Sequence, residues 1–251
     1  MTENPNATRP GYPWTDPDFD HADANLVKIS DAQTGKVFTD VFGNRVRVDQ
    51  YIFHDPSGPN PVVMFGRNLQ SSKTVQRQVT GYRINRRWPT HAGRGMDQGD
   101  ISVVKFAGGL PKGYRPAAIP ENDIKAGQIV TLAGYGISNA RTHTGAGRLR
   151  KTRVKVENPR PGKTEMILNQ CKGHGACHGD SGGPAFMKRK RRDVLVGVTN
   201  RGYPNRAPDD CKHKVVYTKV AAYRPWIGQA LRTLRRSPNS RGYMSARMRM
   251  R

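Results

Sequence analysis

The chain has 251 residues, 35% of them hydrophobic, which is enough for one large domain or two small ones with a proper core. Its 43 Lys and Arg outnumber its 19 Asp and Glu, giving a formal net charge of +24. Such a surface attracts polyanions such as nucleic acid, acidic glycans or anionic membranes, and it equally suits a solvated basic face. No apolar run approaches the roughly 18 residues of a membrane helix, which argues against a membrane span.

The two ends of the chain differ from its centre in composition. Residues 1–24 are polar and Pro-rich and, as written, carry neither the basic nor the apolar region of a signal peptide, so we expect a poorly ordered extension. Residues 235–251 are Arg-rich and contain no acidic residue, which predicts a flexible basic tail.

The centre of the chain has the pattern of an all-β protein. With 27 Gly and 18 Pro, it favours many turns and few long helices. Short runs rich in β-branched and aromatic residues indicate a sandwich or a barrel. These runs are Leu26–Ile29, Val37–Phe42, Arg45–Phe53, Pro61–Phe65, Ile101–Phe106, Ile129–Ala133, Arg148–Val156, Val194–Val198 and Val215–Val220.

One helix is predicted near the end of the chain, over residues 223–234. Its apolar residues recur at helical spacing, and Pro225 stands near the start, where proline is tolerated. The apolar positions are Trp226, Ile227, Ala230, Leu231 and Leu234.

The segment Gly179-Asp180-Ser181-Gly182-Gly183-Pro184 carries the clearest chemical signal. A serine is a poor nucleophile unless a base and a site for negative charge assist it. Glycines on both sides allow a tight turn and leave N–H groups exposed. The backbone N–H groups of Gly179 and Ser181 are therefore the candidate oxyanion hole.

This segment, extended to Ala176–Phe186, resembles the active-serine segment of trypsin-like serine proteases. Other stretches are similar to that family as well, and the resemblance spans roughly residues 25–234. They are Thr131–Gly136 (start of the second barrel), Gly197–Gly202 (substrate strand), Val216–Val220 (last strand) and Tyr223–Ile227 (terminal helix).

The resemblance, to a bacterial-type member of the family, implies two packed six-stranded antiparallel β-barrels with the active site in the cleft between them. Barrel one would span about residues 25–115 and barrel two about residues 116–222. The reaction it implies is peptide-bond hydrolysis by a serine endopeptidase, without cofactor or metal.

The resemblance also assigns the catalytic triad. Asp100, which opens Asp100-Ile101-Ser102-Val103-Val104-Lys105-Phe106, matches the family's orienting carboxylate. We choose His54 as the base, because it precedes Asp100 and is followed by Val62-Val63-Met64-Phe65-Gly66, which resembles the next strand of the family. The segment around His54 departs from the family's Thr-Ala-Ala-His-Cys, and His91 is the alternative.

Three cysteines allow two interpretations. Cys171-x-x-His174-x-x-Cys177-His178 has spacings found in zinc sites. The resemblance instead pairs Cys177 with Cys211 in a disulfide and leaves Cys171 single. We follow the disulfide, which implies an oxidising compartment and hence a secreted or periplasmic protein.

The residues expected at the substrate pocket differ from those of trypsins. The resemblance places Gly175 at the pocket base, Asn200, Arg201 and Gly202 on the substrate strand, and Val215 where trypsins carry glycine. Because the base lacks an acidic residue, we expect cleavage after small or medium apolar residues. Asp209 and Asp210 in a neighbouring loop are the alternative source of an acidic pocket, and Arg201 replaces the family's tryptophan.

Two further points stay open at this level. In zymogen members of the family that this chain resembles, a freshly cut apolar N-terminus pairs with the Asp before the nucleophile, which is Asp180 here. The sequence has no matching Ile-Val-Gly-Gly segment, so either Asp180 has another partner, such as a nearby basic group, or no activating cleavage is needed. We expect a monomer that acts on protein or peptide substrates.

The alternative function is an inactive homologue that binds polyanions through basic segments such as residues 148–155, 188–192 and the tail.

Overall fold

The structure is a computed structural model that describes residues 61–88, 95–189, 192–204 and 211–236. Of the earlier chain it describes only the backbone of three short strands. Expectations for the extension, the basic tail, His54, His91, Asp209 and Asp210 therefore fall outside the described residues.

Six strands precede residue 107 and form two sheets. The larger sheet has the order β1-β4-β5-β6, and β2 and β3 pair with each other. Val63 and Phe65 are buried at its core, packed against apolar residues of β5 and β6. The strands are β1 (Lys28–Asp31), β2 (Phe38–Thr39), β3 (Arg45–Val46), β4 (Pro61–Phe65), β5 (Val75–Ile84) and β6 (Ser102–Phe106).

The next six strands close into an antiparallel barrel of order β10-β11-β12-β9-β8-β7. Alternation along β8 puts Val154 and Val156 inside and Arg153 and Lys155 outside, as expected of a strand with one buried face. The strands are β7 (Ile129–Gly134), β8 (Arg150–Asn158), β9 (Glu165–Asn169), β10 (Pro184–Arg189), β11 (Arg192–Tyr203) and β12 (Lys214–Lys219).

A helix closes the described chain. After a 3-10 turn at Ala221–Tyr223 comes α1 (Arg224–Arg236), which buries Ile227, Ala230 and Leu234. The Lys105 ammonium on β6 donates to the Leu234 carbonyl at 3.0 Å, so the helix also contacts the first sheet. Among the described residues no helix is long and apolar enough to cross a membrane.

A seam of hydrogen bonds joins the first sheet to the barrel. The Tyr135 hydroxyl, on a residue 1% exposed, donates to the Gly66 carbonyl at 2.6 Å. Beside it the chain after β4 runs along the chain before β8 with two backbone hydrogen bonds of 2.9 Å, from Leu69 to Gly147 and from Leu149 to Arg67.

The mostly β architecture with a C-terminal helix confirms the fold class expected from the sequence. The second barrel is closed and six-stranded, as expected. The first half is described as a four-stranded sheet and a separate two-stranded pair rather than a six-stranded barrel. The closed barrel, the second sheet and the C-terminal helix are those of the expected fold, and most of residues 1–60 lie outside the described part of the first half.

Candidate active site

Ser181 lies in a tight turn that leads into β10. Gly179 and Gly182 on either side have φ of +88° and +75°, which side chains other than glycine rarely adopt. The turn is fixed to β11 because the Gly182 N–H donates to the Thr199 carbonyl at 2.8 Å. In return the Thr199 N–H and hydroxyl both donate to the Gly183 carbonyl, at 2.8 and 2.9 Å.

The backbone N–H groups of Gly179 and Ser181 are the expected oxyanion donors. Within the described part of the chain, neither makes a hydrogen bond to another backbone or side-chain group. Gly179 is buried, and buried N–H groups are rarely left without a partner in folded proteins. Two such donors beside one serine hydroxyl are what a developing oxyanion needs.

The Asp180 side chain holds the same turn through two hydrogen bonds. Its Oδ1 accepts from the Gly136 N–H and its Oδ2 from the Cys177 N–H, both at 2.9 Å. A Cβ on Gly136 would lie 2.6 Å from the Asp180 carboxyl carbon and 2.6 Å from the His178 carbonyl oxygen. Only glycine fits at position 136, and the Gly134-Tyr135-Gly136 sequence reflects this close approach.

The surroundings of Asp180 explain its titration. The residue is half-buried, but its carboxyl group is desolvated, and this raises its pKa to about 6 against the opposing effects of two N–H donors and of Arg150 and His178. Asp180 lines a cavity of about 710 Å³ together with Arg141, Arg150 and Lys212. Arg150 also donates to the Gly136 carbonyl at 3.2 Å. The direct partners of the Asp180 carboxylate are thus two backbone N–H groups, and Arg150 acts on it through its charge.

Gln170 is an organising residue that the sequence did not reveal. It is 4% exposed, and its amide nitrogen donates to the carbonyls of Ala176 and Cys211, both at 2.9 Å. Its amide oxygen accepts from the Ala176 N–H at 3.0 Å. Gln170 therefore ties together the two segments that the Cys177–Cys211 disulfide also joins.

The disulfide decides between the two interpretations of the cysteines. Cys177 and Cys211 are bonded to each other across 34 residues, and Cys171 is a free, exposed thiol. Cys177, His178 and Cys211 lie close enough to share a metal ion, but both sulfurs are used in the disulfide.

The expected pocket residues occupy different environments. Gly175 packs directly on the side chain of Gln170, so a side chain at position 175 would displace that amide. Val215 is 4% exposed and belongs to the barrel core. Gly202 is exposed, and a Cβ added there would meet no other atom within 4 Å. Asn200 is buried and donates to the Thr218 hydroxyl at 3.3 Å.

Arg201 is buried, which the sequence did not indicate. Its side chain is 4% exposed and pairs with Glu165, whose side chain is 1% exposed, at 2.9 Å. The guanidinium therefore does not face a substrate on this strand. A charged residue in the position of the family's tryptophan was visible in the sequence, but its partner Glu165 lies 36 residues away and on another strand.

Asp100 follows a segment, residues 95–99, that is hydrogen-bonded to the chain before β9. The Asp97 carboxylate accepts from the Lys163 and Thr164 N–H groups at 2.8 and 2.6 Å. Burial raises the pKa of Asp97, but these N–H groups, the Thr164 hydroxyl and Arg87 outweigh it and hold the pKa below its usual value. Asp100 itself is half-buried just before β6. β11 contacts the serine turn through Thr199 and residues 95 and 96 through Arg201.

Comparison with known proteins agrees with this architecture. The family model "Trypsin" matches residues 52–227. The chain is 26% identical to chymase from Canis lupus familiaris over 132 residues, which are 49% of this chain and 49% of chymase, so it spans about half of that relative. The fold is similar to that of neuropsin, a serine protease expressed in the limbic system of mouse brain, with a TM-score of 0.57 and 22% identity over 68% of this chain and 79% of neuropsin.

These mammalian relatives give no support to a bacterial-type subclass. The family match covers well over half of the chain and includes Asp100, Asp180 and Ser181. Together with the closed barrel, the glycine-flanked serine and the disulfide beside it, it identifies this chain as a member of the trypsin family.

Proposed function

We propose that the chain is a serine endopeptidase that hydrolyses peptide bonds through an acyl-enzyme. The observation that carries the proposal is the serine turn. Ser181 is held by β11 on one side and by Asp180 on the other, next to two backbone N–H groups that have no partner within the described chain.

The proposed steps use only groups of the chain, the peptide and water. Ser181 Oγ attacks the scissile carbonyl carbon while His54 accepts its proton, and Asp100 keeps the imidazole in the required tautomer. The N–H groups of Gly179 and Ser181 stabilise the oxyanion. The protonated His54 then gives its proton to the leaving amine, and water attacks the ester by the same route.

Labelling with a fluorophosphonate probe tests the proposal. We expect the parent to be labelled, and Ser181→Ala to be silent because it lacks the nucleophile. His54→Ala and Asp100→Asn should slow labelling strongly, with Asp100→Asn lowering the rate by up to about 10⁴-fold. Absence of labelling in the folded parent would contradict the proposal, and unchanged labelling of His54→Ala would transfer the role of base to another histidine such as His91.

For specificity we propose cleavage after small or medium apolar residues. Gly175 packs on the amide of Gln170 and Val215 is buried in the barrel core, so neither supplies a negative charge for a Lys or Arg side chain. Peptides that differ only at the residue before the scissile bond would test this. A preference for Lys or Arg would instead favour Asp209 or Asp210 as part of the pocket. The disulfide favours a secreted or periplasmic protein, and the monomer remains our expected working form.

A second role, binding of an acidic glycan, is favoured by the outer face of β8. Lys151, Arg153 and Lys155 are exposed at alternate positions, about 6.7 Å apart, and none is in an ion pair within the described residues. Replacing all three with Gln should lower the salt concentration needed to elute the protein from heparin. The matched control replaces three scattered exposed lysines, Lys112, Lys125 and Lys172, with Gln, and equal elution of the two variants would refute a specific basic face.

A further inference from the structure

One buried ion pair in the barrel contacts the segment that leads to Asp100. The Arg201 guanidinium donates to both carboxylate oxygens of Glu165, at 3.1 and 2.9 Å. The two side chains are 4% and 1% exposed, so water cannot stabilise either charge. Each charge is thus balanced mainly by the other and by the hydrogen bonds around the pair.

Both members of the pair extend to residues 95–98. The Arg201 Nη2 also donates to the Gly95 carbonyl at 3.0 Å and contacts the Met96 sulfur at 3.2 Å. Glu165 Oε1 accepts from the Gln98 N–H at 3.2 Å, and Gln98 is fully buried. The pair therefore holds this segment from two directions.

A second tether lies between these contacts. The Asp97 carboxylate accepts from the N–H groups of Lys163 and Thr164, which directly precede Glu165. Asp97 has a φ of +61° and Gly99 a φ of +79°, so the backbone follows an irregular path that these contacts must hold. Asp100 is the next residue.

The same strand supports the nucleophile. Thr199, two residues before Arg201 on β11, is bonded to Gly182 and Gly183 in the serine turn. One strand thus contacts the turn of Ser181 through Thr199 and the segment before Asp100 through Arg201.

A contribution to stability does not by itself explain why a buried ion pair occupies these two positions. Removing two charges from water offsets most of the attraction between them, and apolar pairs of similar size are often as stable or more so. What apolar residues cannot supply is the set of directed hydrogen bonds to Gly95 and Gln98.

We propose that the Glu165–Arg201 pair is a positioning device for the hydrolysis: it holds residues 95–98, and through them Asp100, against the barrel that carries Ser181. This inference rests on the proposed function. Neither residue touches the reacting atoms, and both act through Asp100.

The first test replaces the pair together, Arg201→Met with Glu165→Leu, so that no buried charge is left alone. The control replaces a second ion pair, Lys219→Met with Asp123→Leu, whose side chains are 2% and 32% exposed, meet at 2.7 Å and do not bond to residues 95–98. With both proteins shown to unfold cooperatively, fluorophosphonate labelling should slow by about 10- to 100-fold in the first and change less than about twofold in the control. Parental labelling of the first variant would overturn the proposal.

A double-mutant cycle separates positioning from general damage. In an Asp100→Asn background, removing the Glu165–Arg201 pair should slow labelling no further, because the group on which it acts is already disabled. A full additional decrease would overturn a role through Asp100.

Amide exchange gives a readout that does not depend on activity. Replacing the pair should accelerate hydrogen exchange at Gln98 and Asp100, while the control variant should not. Unchanged exchange would refute the positioning role even if the parent were never labelled, whereas an unlabelled parent with accelerated exchange would refute only the proposed function.

Discussion

Asp180 makes the stability of the fold depend on pH, because ionisation of its buried carboxyl group is unfavourable. Burial raises the pKa of its carboxyl group from 3.8 to about 6, so between these values the folded chain binds more protons than the unfolded chain. Its contribution to the free energy of unfolding is therefore full below about pH 4 and is lost as the pH rises through about 6. A shift of roughly two pKa units corresponds to at most about 3 kcal/mol.

Comparison of the parent with Asp180→Asn measures this contribution. The variant cannot ionise at this position. Its amide nitrogen also cannot accept the second N–H bond, which changes its free energy of unfolding by an amount that does not depend on pH. Urea unfolding from pH 4 to pH 7 should show the stability of the parent falling relative to that of the variant by up to about 3 kcal/mol. Parallel curves for the two proteins would contradict the raised pKa.

Gly136 is the second residue at which a substitution should disturb the serine turn. In Gly136→Ala the new methyl group would lie 2.6 Å from both the Asp180 carboxyl carbon and the His178 carbonyl, so the turn must move. We expect a loss of about 1–3 kcal/mol in the free energy of unfolding and at least tenfold slower fluorophosphonate labelling. Gly109→Ala is the control, because no atom lies within 4 Å of that Cβ position, and it should resemble the parent in both assays.

The sequence predicts site features that are local in the chain and misses those that depend on contacts between strands. The Gly-Asp-Ser-Gly-Gly string is local, and the structure shows the turn that it predicts. Gln170, Glu165 and the buried state of Arg201 depend on contacts between strands, which no local pattern encodes. The triad as a whole stays a prediction, since His54 lies outside the described residues.

Among the secondary-structure elements, the C-terminal helix was predicted most closely, over residues 223–234 against the observed Arg224–Arg236. β7, which has one buried face, and β12, which is buried along nearly its whole length, were also found from their runs of apolar residues. β5, β9 and β10 were not among the predicted runs. β5 mixes apolar residues with Gln, Arg and a glycine, β9 has only three apolar residues between Glu165 and Asn169, and β10 begins in the glycine-rich turn itself.

The C-terminal helix α1 contacts β5 and β6, and substitutions can test which face of it is packed. Leu234 is 2% exposed and Leu231, one turn earlier on the outer side, is 39% exposed. We expect Leu234→Ala to lower the free energy of unfolding by about 2–4 kcal/mol, and Leu231→Ala to lower it by less than about 1 kcal/mol. Equal losses, measured by chemical denaturation, would mean that the helix is not docked through this face.

For the whole molecule, the Cys177–Cys211 disulfide is the largest single constraint on the unfolded chain. It closes a loop across 34 residues, and the chain-entropy relation gives about 4 kcal/mol for a loop of this size. Replacing both cysteines with Ala should lower the melting temperature by about 8–15 °C. Cys171→Ser, at an exposed free thiol, should leave it unchanged, and equal melting of all three proteins would show that the bond does not form.

The seam between the two halves has a consequence for how the molecule opens. Leu69 and Leu149 donate their N–H groups across it, to Gly147 and Arg67, and Tyr135 adds its hydroxyl bond to Gly66. Amides that bond across such a boundary become exposed when the halves separate, even if each half stays folded. Their deuterium uptake therefore reports undocking as a motion separate from global unfolding. If the two amides exchange together, and faster than the interior of the barrel, the cleft opens as a hinge in the native state.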